Sequence, residues 1–397
     1  MSLGIYISVP FCRTKCTYCN FASGVFAASQ MGRYVERLGA DMNACHTFAA
    51  QHGAEIPGPV DSIFLGGGTP SLLEPEQLKK LFLFLGNEFV VAPQAEITVE
   101  CAPGTLSDEV LETLAACGVN RVSLGVQSFV DQEAASVARL HTREKTLSDI
   151  ERLRKAGIIN INVDLIAGLP HQTRASWNDS LQQAIASGVP HVSVYMLEVD
   201  EDSRLGRELI AGGTKYHAHF VPDDDLTAEF YETACQRLNA AGVEQYEISN
   251  FAREGSESRH NLKYWTRQPY LGFGVDAHSM LPAAARLRTA NMESLRLAAT
   301  DSFDQFFISA ELKATSVSTA QALEESFFLG LRLNHGISLD QLRSQFGPQL
   351  DAYGPIIAEL AGDGLLSRRA DNLQLTPRGR LLSNEVFEKF IREPVGG

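Results

Sequence analysis

The chain has 397 residues, 44% of them hydrophobic and 21% charged, with a formal net charge of −14. That length accommodates one large α/β domain and a smaller one. The acidic balance argues against non-specific nucleic-acid binding, which uses basic surface, and against adhesion to an anionic membrane.

From residue 4 to about residue 250, short apolar runs alternate with longer segments at helical spacing. The strands predicted are 4–9, 62–65, 96–101, 121–126, 160–166, 191–197 and 245–248, and the helices 31–49, 74–85, 107–116, 145–155, 176–186 and 224–241. Gly118 and Gly157 read as helix stops. Near-continuous apolar strands alternating with helices imply a parallel sheet covered on both faces. Six such units suit an open or partial (β/α) barrel, whose ligands gather at the carboxyl ends of the strands.

The loop after the first strand carries Cys12, Cys16 and Cys19, spaced C-x3-C-x2-C. Thiolates suit zinc, copper(I) or iron–sulfur clusters. Structural zinc wants four protein ligands, and no fourth Cys or His follows closely: position 21 is Phe21. Three thiolates suit a 4Fe–4S cluster with one iron left open, beside the plainer readings of a zinc knot or unligated thiols. Cys45, Cys101, Cys117 and Cys235 are scattered and read as small buried hydrophobes. Gly66-Gly67-Gly68-Thr69-Pro70 follows the second strand, where glycine lets backbone approach a ligand. Glu100, Gln127 and Asp164 are expected at or just after strand ends, with a helix cap or ion pair as the plain alternative for the carboxylates.

Further on, His260-Asn261-Leu262-Lys263-Tyr264-Trp265 joins an imidazole to two flat, polar-tipped aromatics. Imidazole is a common axial haem ligand, and Arg259 or Lys263 could pair a propionate. The plain reading is a histidine capping a turn over packed aromatics. His278 is a weaker haem-ligand candidate. Residues 283–317 are expected as a linker between a domain over 1–282 and one over 318–397. In the second domain, helices at 320–333, 338–346 and 349–363, a hairpin at 365–376 turned by Asp371-Asn372, and a last helix from Pro377 are predicted. Asp223-Asp224-Asp225 reads as a solvated helix N-terminus.

The cysteine spacing and glycine run resemble the radical S-adenosylmethionine superfamily, whose members bind that molecule on the open iron of a 4Fe–4S cluster. More narrowly, Tyr6 to Cys12, Phe64 to Pro70, Val99-Glu100, Gly125 to Phe129, Asp164 to Pro170 and Tyr246 to Phe251 look like the oxygen-independent coproporphyrinogen III oxidase family, over nearly the whole chain. That resemblance implies an α/β partial (β/α)6 barrel with a mainly helical, winged-helix-like C-terminal domain. It implies cluster ligation by Cys12, Cys16 and Cys19, and S-adenosylmethionine binding by Tyr6, Gly67, Gly68, Thr69, Glu100, Gln127, Arg139 and Asp164.

Two departures, Phe21 in place of a further cysteine and only eleven residues before Cys12, match the HemW-type haem chaperones of this family. So does the H-N-x-x-Y-W run, which implies haem contacts from His260, Tyr264 and Trp265. The resemblance implies haem and recipient haem proteins as partners, transient membrane contact during delivery, and no coproporphyrinogen oxidase activity. Oxygen-independent coproporphyrinogen III oxidase is the alternative function. Asp276 stands where a family glycine is expected. Eight basic against ten acidic residues over 318–397 argue that the winged helix does not read DNA. No signal peptide or membrane span is expected. A low-potential cluster needs a reducing compartment, hence a cytoplasmic location.

Overall fold

The computed structural model describes residues 1–288, 292–309 and 311–392. Six strands, β1 (Leu3–Val9), β2 (Val60–Gly67), β3 (Val91–Cys101), β4 (Arg121–Gln127), β5 (Asn160–Ala167) and β6 (His191–Met196), pair in parallel and in chain order. The helices Ala28–Gln51, Pro75–Glu88, Asp108–Ala116, Arg143–Lys155 and Arg174–Ala186 return the chain between them, the crossover connection that parallel strands require. This is the α/β partial (β/α)6 barrel expected from the sequence.

The strands are less uniformly apolar than expected. On β4 to β6, Val122, Leu124, Ile161, Val163, Val192 and Val194 pack outward into one core with the helices. Alternate residues point the other way and are polar and buried: Arg121, Ser123, Asn162, His191 and Ser193. They satisfy one another. Asn162 Nδ2 donates to Ser123 Oγ (2.7 Å) and Ser193 Oγ (3.0 Å), His191 Nδ1 meets Asn162 Oδ1 (2.6 Å), and Arg121 Nη1 donates to Asn160 Oδ1 (2.8 Å). Buried polar groups persist best when partnered, and on β4 to β6 these side chains form a hydrogen-bond network in the barrel lumen.

Residues 245–248 do not extend the parallel array. Of two short strands, β8 (Asn250–Ala252) pairs antiparallel with β6, and β7 (Glu244–Gln245) pairs antiparallel with β8 at the sheet edge. On the opposite flank, β9 (Tyr270–Phe273) pairs parallel with β1 and is followed antiparallel by β10 (His278–Pro282), β11 (Met292–Ala298) and β12 (Lys313–Ser318). The expected linker 283–317 therefore holds two strands of the same twelve-stranded sheet. Its polar, alternating sequence fits an antiparallel edge. Residues 289–291 and 310 of that segment lie outside the described residues.

The C-terminal region has its own core around Phe327, Tyr353, Leu373 and Phe390. Helices Thr319–Gly330, Leu339–Phe346 and Gly354–Gly362 precede a hairpin of β14 (Leu366–Arg369) and β15 (Asn372–Leu375), with β13 (Ile337–Ser338) along β15. The closing helix is two short ones, Pro377–Leu381 and Ser383–Glu388. Among the described residues no helix is long and apolar enough to cross a membrane.

Candidate functional site

The chain leaves β1 into the cysteine loop, which is closed by its own backbone. Cys12 N donates to Gly24 O and Gly24 N to Pro10 O, both at 2.9 Å. Thr14 Oγ1 donates to Ala138 O (3.1 Å) and Thr17 N to Val137 O (3.3 Å), tying the loop to the turn after β4. All three thiols are free, and each has a polar neighbour. Thr69 Oγ1 lies 4.0 Å from Cys12 Sγ, Arg139 Nη1 3.6 Å from Cys16 Sγ, and Ser23 Oγ 3.9 Å from Cys19 Sγ. Among the described residues no three His, Cys, Asp or Glu groups converge tightly enough to hold a single metal ion.

The glycine run divides its labour. A Cβ on Gly68 would lie 2.6 Å from Val9 O and 2.8 Å from Phe11 O, so glycine is required for β2 to exit against β1. Gly67, at φ +93°, aims its missing Cβ at Ser8 Oγ (2.8 Å) and Tyr6 Oη (3.3 Å). Gly67 N donates to Glu100 Oε2 (3.2 Å). Burial first, and then the neighbouring Asp164 charge, push the Glu100 carboxyl up to about 8. Asp164 accepts from Ser123 Oγ (2.9 Å) and Asn162 Nδ2 (2.7 Å), and burial raises its pKa. It sits three residues before the end of β5, deeper than expected. Gln127 ends β4 in the left-handed region (φ 69°). Arg139 donates through Nη2 to Gly125 O, while its buried Nε has no partner. A cleft of about 170 Å³ opens beside it, lined by Arg13, Thr69, Pro103, Arg139 and Lys145. Its cationic lining suits a carboxylate.

Tyr6, Gly67, Gly68, Thr69, Glu100, Gln127, Arg139 and Asp164 thus gather at one mouth of the barrel with the three cysteines. Sequence reading overlooked the lumen residues beneath them, Ser123, Asn162 and Ser193. Their signal was the polar residue at every second position of β4 to β6.

The H-N-x-x-Y-W run lies elsewhere. It forms the helix Arg259–Trp265, capped by Ser258 Oγ accepting from Asn261 N (3.3 Å). Glu96 accepts from the first two helical amides, Arg259 N (3.1 Å) and His260 N (3.0 Å), so the helix closes the amino-terminal end of the barrel. His260 is 1% exposed, with Nδ1 at 3.0 Å from Ser62 Oγ and Nε2 at 2.8 Å from Tyr264 Oη. Both ring nitrogens are taken, so the fold presents neither to a haem iron; burial pulls its pKa down to about 3. Lys263 is buried on Asp61 Oδ1 (2.7 Å), so it is not free for a propionate. Trp265 stacks under the Arg332 guanidinium (4.2 Å), against the C-terminal region. His278 is exposed and lies 3.8 Å from Asp276.

Comparison with known proteins places this geometry. Residues 6–184 match the radical SAM superfamily and residues 317–382 the HemN C-terminal domain. The chain is 35% identical to the heme chaperone HemW of Bacillus subtilis, over 98% of this chain and 99% of that protein. It is 32% identical to that of Escherichia coli, over 98% of each. The solved structure of coproporphyrinogen III oxidase (HemN) from Escherichia coli, a radical SAM enzyme, has the same fold: TM-score 0.82 at 22% identity, covering 98% of this chain and 90% of that one. The chain belongs to the HemW family of the radical SAM superfamily.

Proposed function

We propose that this chain is a cytoplasmic haem chaperone that binds haem, hands it to recipient haem proteins and carries a 4Fe–4S cluster and S-adenosylmethionine at the barrel mouth. The observation that carries the reading is the full-length similarity to proteins named heme chaperone HemW. Phe21, 64% exposed at the place where an oxidase-like chain would have a further cysteine, supports a chaperone over the oxidase.

The residues at the mouth fit the two groups. Cys12, Cys16 and Cys19 supply the thiolates, and the Arg139 guanidinium beside Cys16 offsets their charge. Gly67 leaves the space a side chain would fill, and the unpartnered Arg139 Nε offers a donor to a carboxylate. Once bound and reduced, a cluster of this class supplies an electron to the sulfonium of S-adenosylmethionine. Glu100 holds its proton while the site is empty, since burial disfavours its charge; an incoming ammonium favours the carboxylate. Gln127 and Asp164 offer amide and carboxylate oxygens to a ribose. His260 and Tyr264 enter this reading as positioning residues beneath Tyr6, whose ring lies 6.5 Å from His260, and Trp265 as a contact to the C-terminal region.

Anaerobic reconstitution should give about four irons per chain, the content of such a cluster, and Cys16→Ala should give none. Zinc in place of iron would overturn the cluster assignment. Ferric haem titrated into the wild type should yield a saturable Soret band. The same reconstituted samples, given reductant, S-adenosylmethionine and coproporphyrinogen III, should form no protoporphyrinogen; sustained formation would establish the oxidase instead.

A further inference from the structure

A chaperone's cargo must be reachable by the protein that receives it, and buried His260 is not. A second group of imidazoles is exposed. Between β6 and the helix Asp224–Ala240, the chain inserts a helix, Arg204–Ile210, and a tight turn, Lys215–Phe220. The insertion packs on the cysteine loop: Leu205 N donates to Thr17 O (2.8 Å), and Tyr18 joins an apolar cluster with Ile166, Leu169, Leu205 and Ala218. His171, in the turn after β5, is tied to it by a hydrogen bond from His171 N to Phe220 O (3.0 Å).

This junction brings His171, His217 and His219 around one aromatic ring. Nε2 of His171 meets Nδ1 of His217 at 3.1 Å. The Phe220 ring centroid is 4.1 Å from that of His171 and 4.0 Å from that of His219. Phe220 is 47% exposed and Tyr216 38%, with the Arg204 guanidinium 5.5 Å from the Tyr216 ring. His171 (φ 69°), Tyr216 (φ 53°) and His217 (φ 61°) are all left-handed, a conformation unfavourable for a non-glycine residue. Strain of this kind collects where a side chain must be aimed.

We propose that this junction is the haem-binding site, with His217 as the axial ligand of the iron and His171 as the residue that orients it. The proposal rests on the haem-chaperone reading above. The single bond between the rings leaves Nε2 of His217 without a partner among the described residues, and ligand imidazoles are held through their other nitrogen. Phe220 and Tyr216 offer exposed apolar faces to a flat macrocycle, and Arg204, over the Tyr216 ring, and Lys215, next to it in the chain, are cations for its propionates. A shallow, exposed site suits cargo that must leave again.

The test is titration of ferric haem, the probe itself, followed by Soret absorbance. The His171→Ala/His217→Ala double variant should lose about tenfold or more in affinity, the range for disrupted metal sites, and its Soret band should move. His46→Ala, an exposed histidine elsewhere, should titrate as the wild type. Should the double variant fold poorly, His217→Gly removes the ring and relieves the left-handed backbone, and added imidazole should restore the wild-type spectrum. Variants that titrate like a haem-binding wild type would overturn this site while leaving the chaperone reading intact. A wild type that binds no haem would overturn both.

Discussion

Glu100 and Asp164 place two half-buried carboxyls near the half-buried Arg139 guanidinium at the barrel mouth. Glu100 titrates near 8 in the fold against an ordinary value of 4.5. The folded state therefore holds its proton more tightly than the unfolded one, so this group's stabilising contribution is complete below pH 4.5 and is lost as pH rises through about 8. Glu100→Gln should melt near the wild-type temperature at pH 4 and above it at pH 9; scanning calorimetry at the two values checks the sign. If S-adenosylmethionine brings its ammonium to this carboxyl, binding at pH 7 should release a proton in the wild type and none in Glu100→Gln, read from calorimetry in buffers of different ionisation heat. At Gly67 the argument is steric. A valine there would meet Ser8 and Tyr6 and adopt φ +93°, so Gly67→Val should lose S-adenosylmethionine binding in calorimetry.

At the scale of an element, the helix Arg259–Trp265 is too short to persist alone. Its amino end is held by the Glu96 carboxylate and the Ser258 cap, and its His260 ring by Ser62 on β2. Glu96 is 3% exposed, so Glu96→Ala leaves two amides unpaired at about 1–3 kcal/mol each. Denaturant unfolding should show a loss of a few kcal/mol, whereas Ser258→Ala should cost about 1 kcal/mol. Motif spacing singled out this segment, but composition could not tell a ligand histidine from one that closes a barrel. Only the positions of Ser62 and Glu96, distant in sequence, made that distinction.

Across the whole molecule, the C-terminal region is latched to the barrel by charge. Glu325 accepts from Arg267 and Arg296, both at 2.8 Å, and Arg332 bridges the Trp265 ring and Glu247. Removing one partner of a buried pair costs more than the pair contributes. Glu325→Ala leaves the Arg267 guanidinium, 7% exposed, with only the more distant Glu293 carboxylate at 4.0 Å. Limited proteolysis should then cut between the barrel and the C-terminal region faster than in the wild type, and an unchanged cleavage rate would show that apolar packing alone holds the two together.

Local sequence determined much of this protein. Short apolar runs and period-3.6 patterning located the six parallel strands and the helices between them, because these elements bury apolar surface against neighbours close in the chain. Cysteine spacing and the glycine run marked the barrel mouth, because both act over a few residues of backbone. The tertiary structure decided the rest. It added β9 to β12, whose alternating sequence becomes strand only beside a sheet edge. It set polar residues of β4 to β6 face to face in the lumen, which no single strand reveals. It buried His260 while bringing His171 within 3.1 Å of His217, residues 46 apart in the chain. Burial and partnership are properties of folded neighbours, and they separate a histidine that supports a barrel from one that faces solvent.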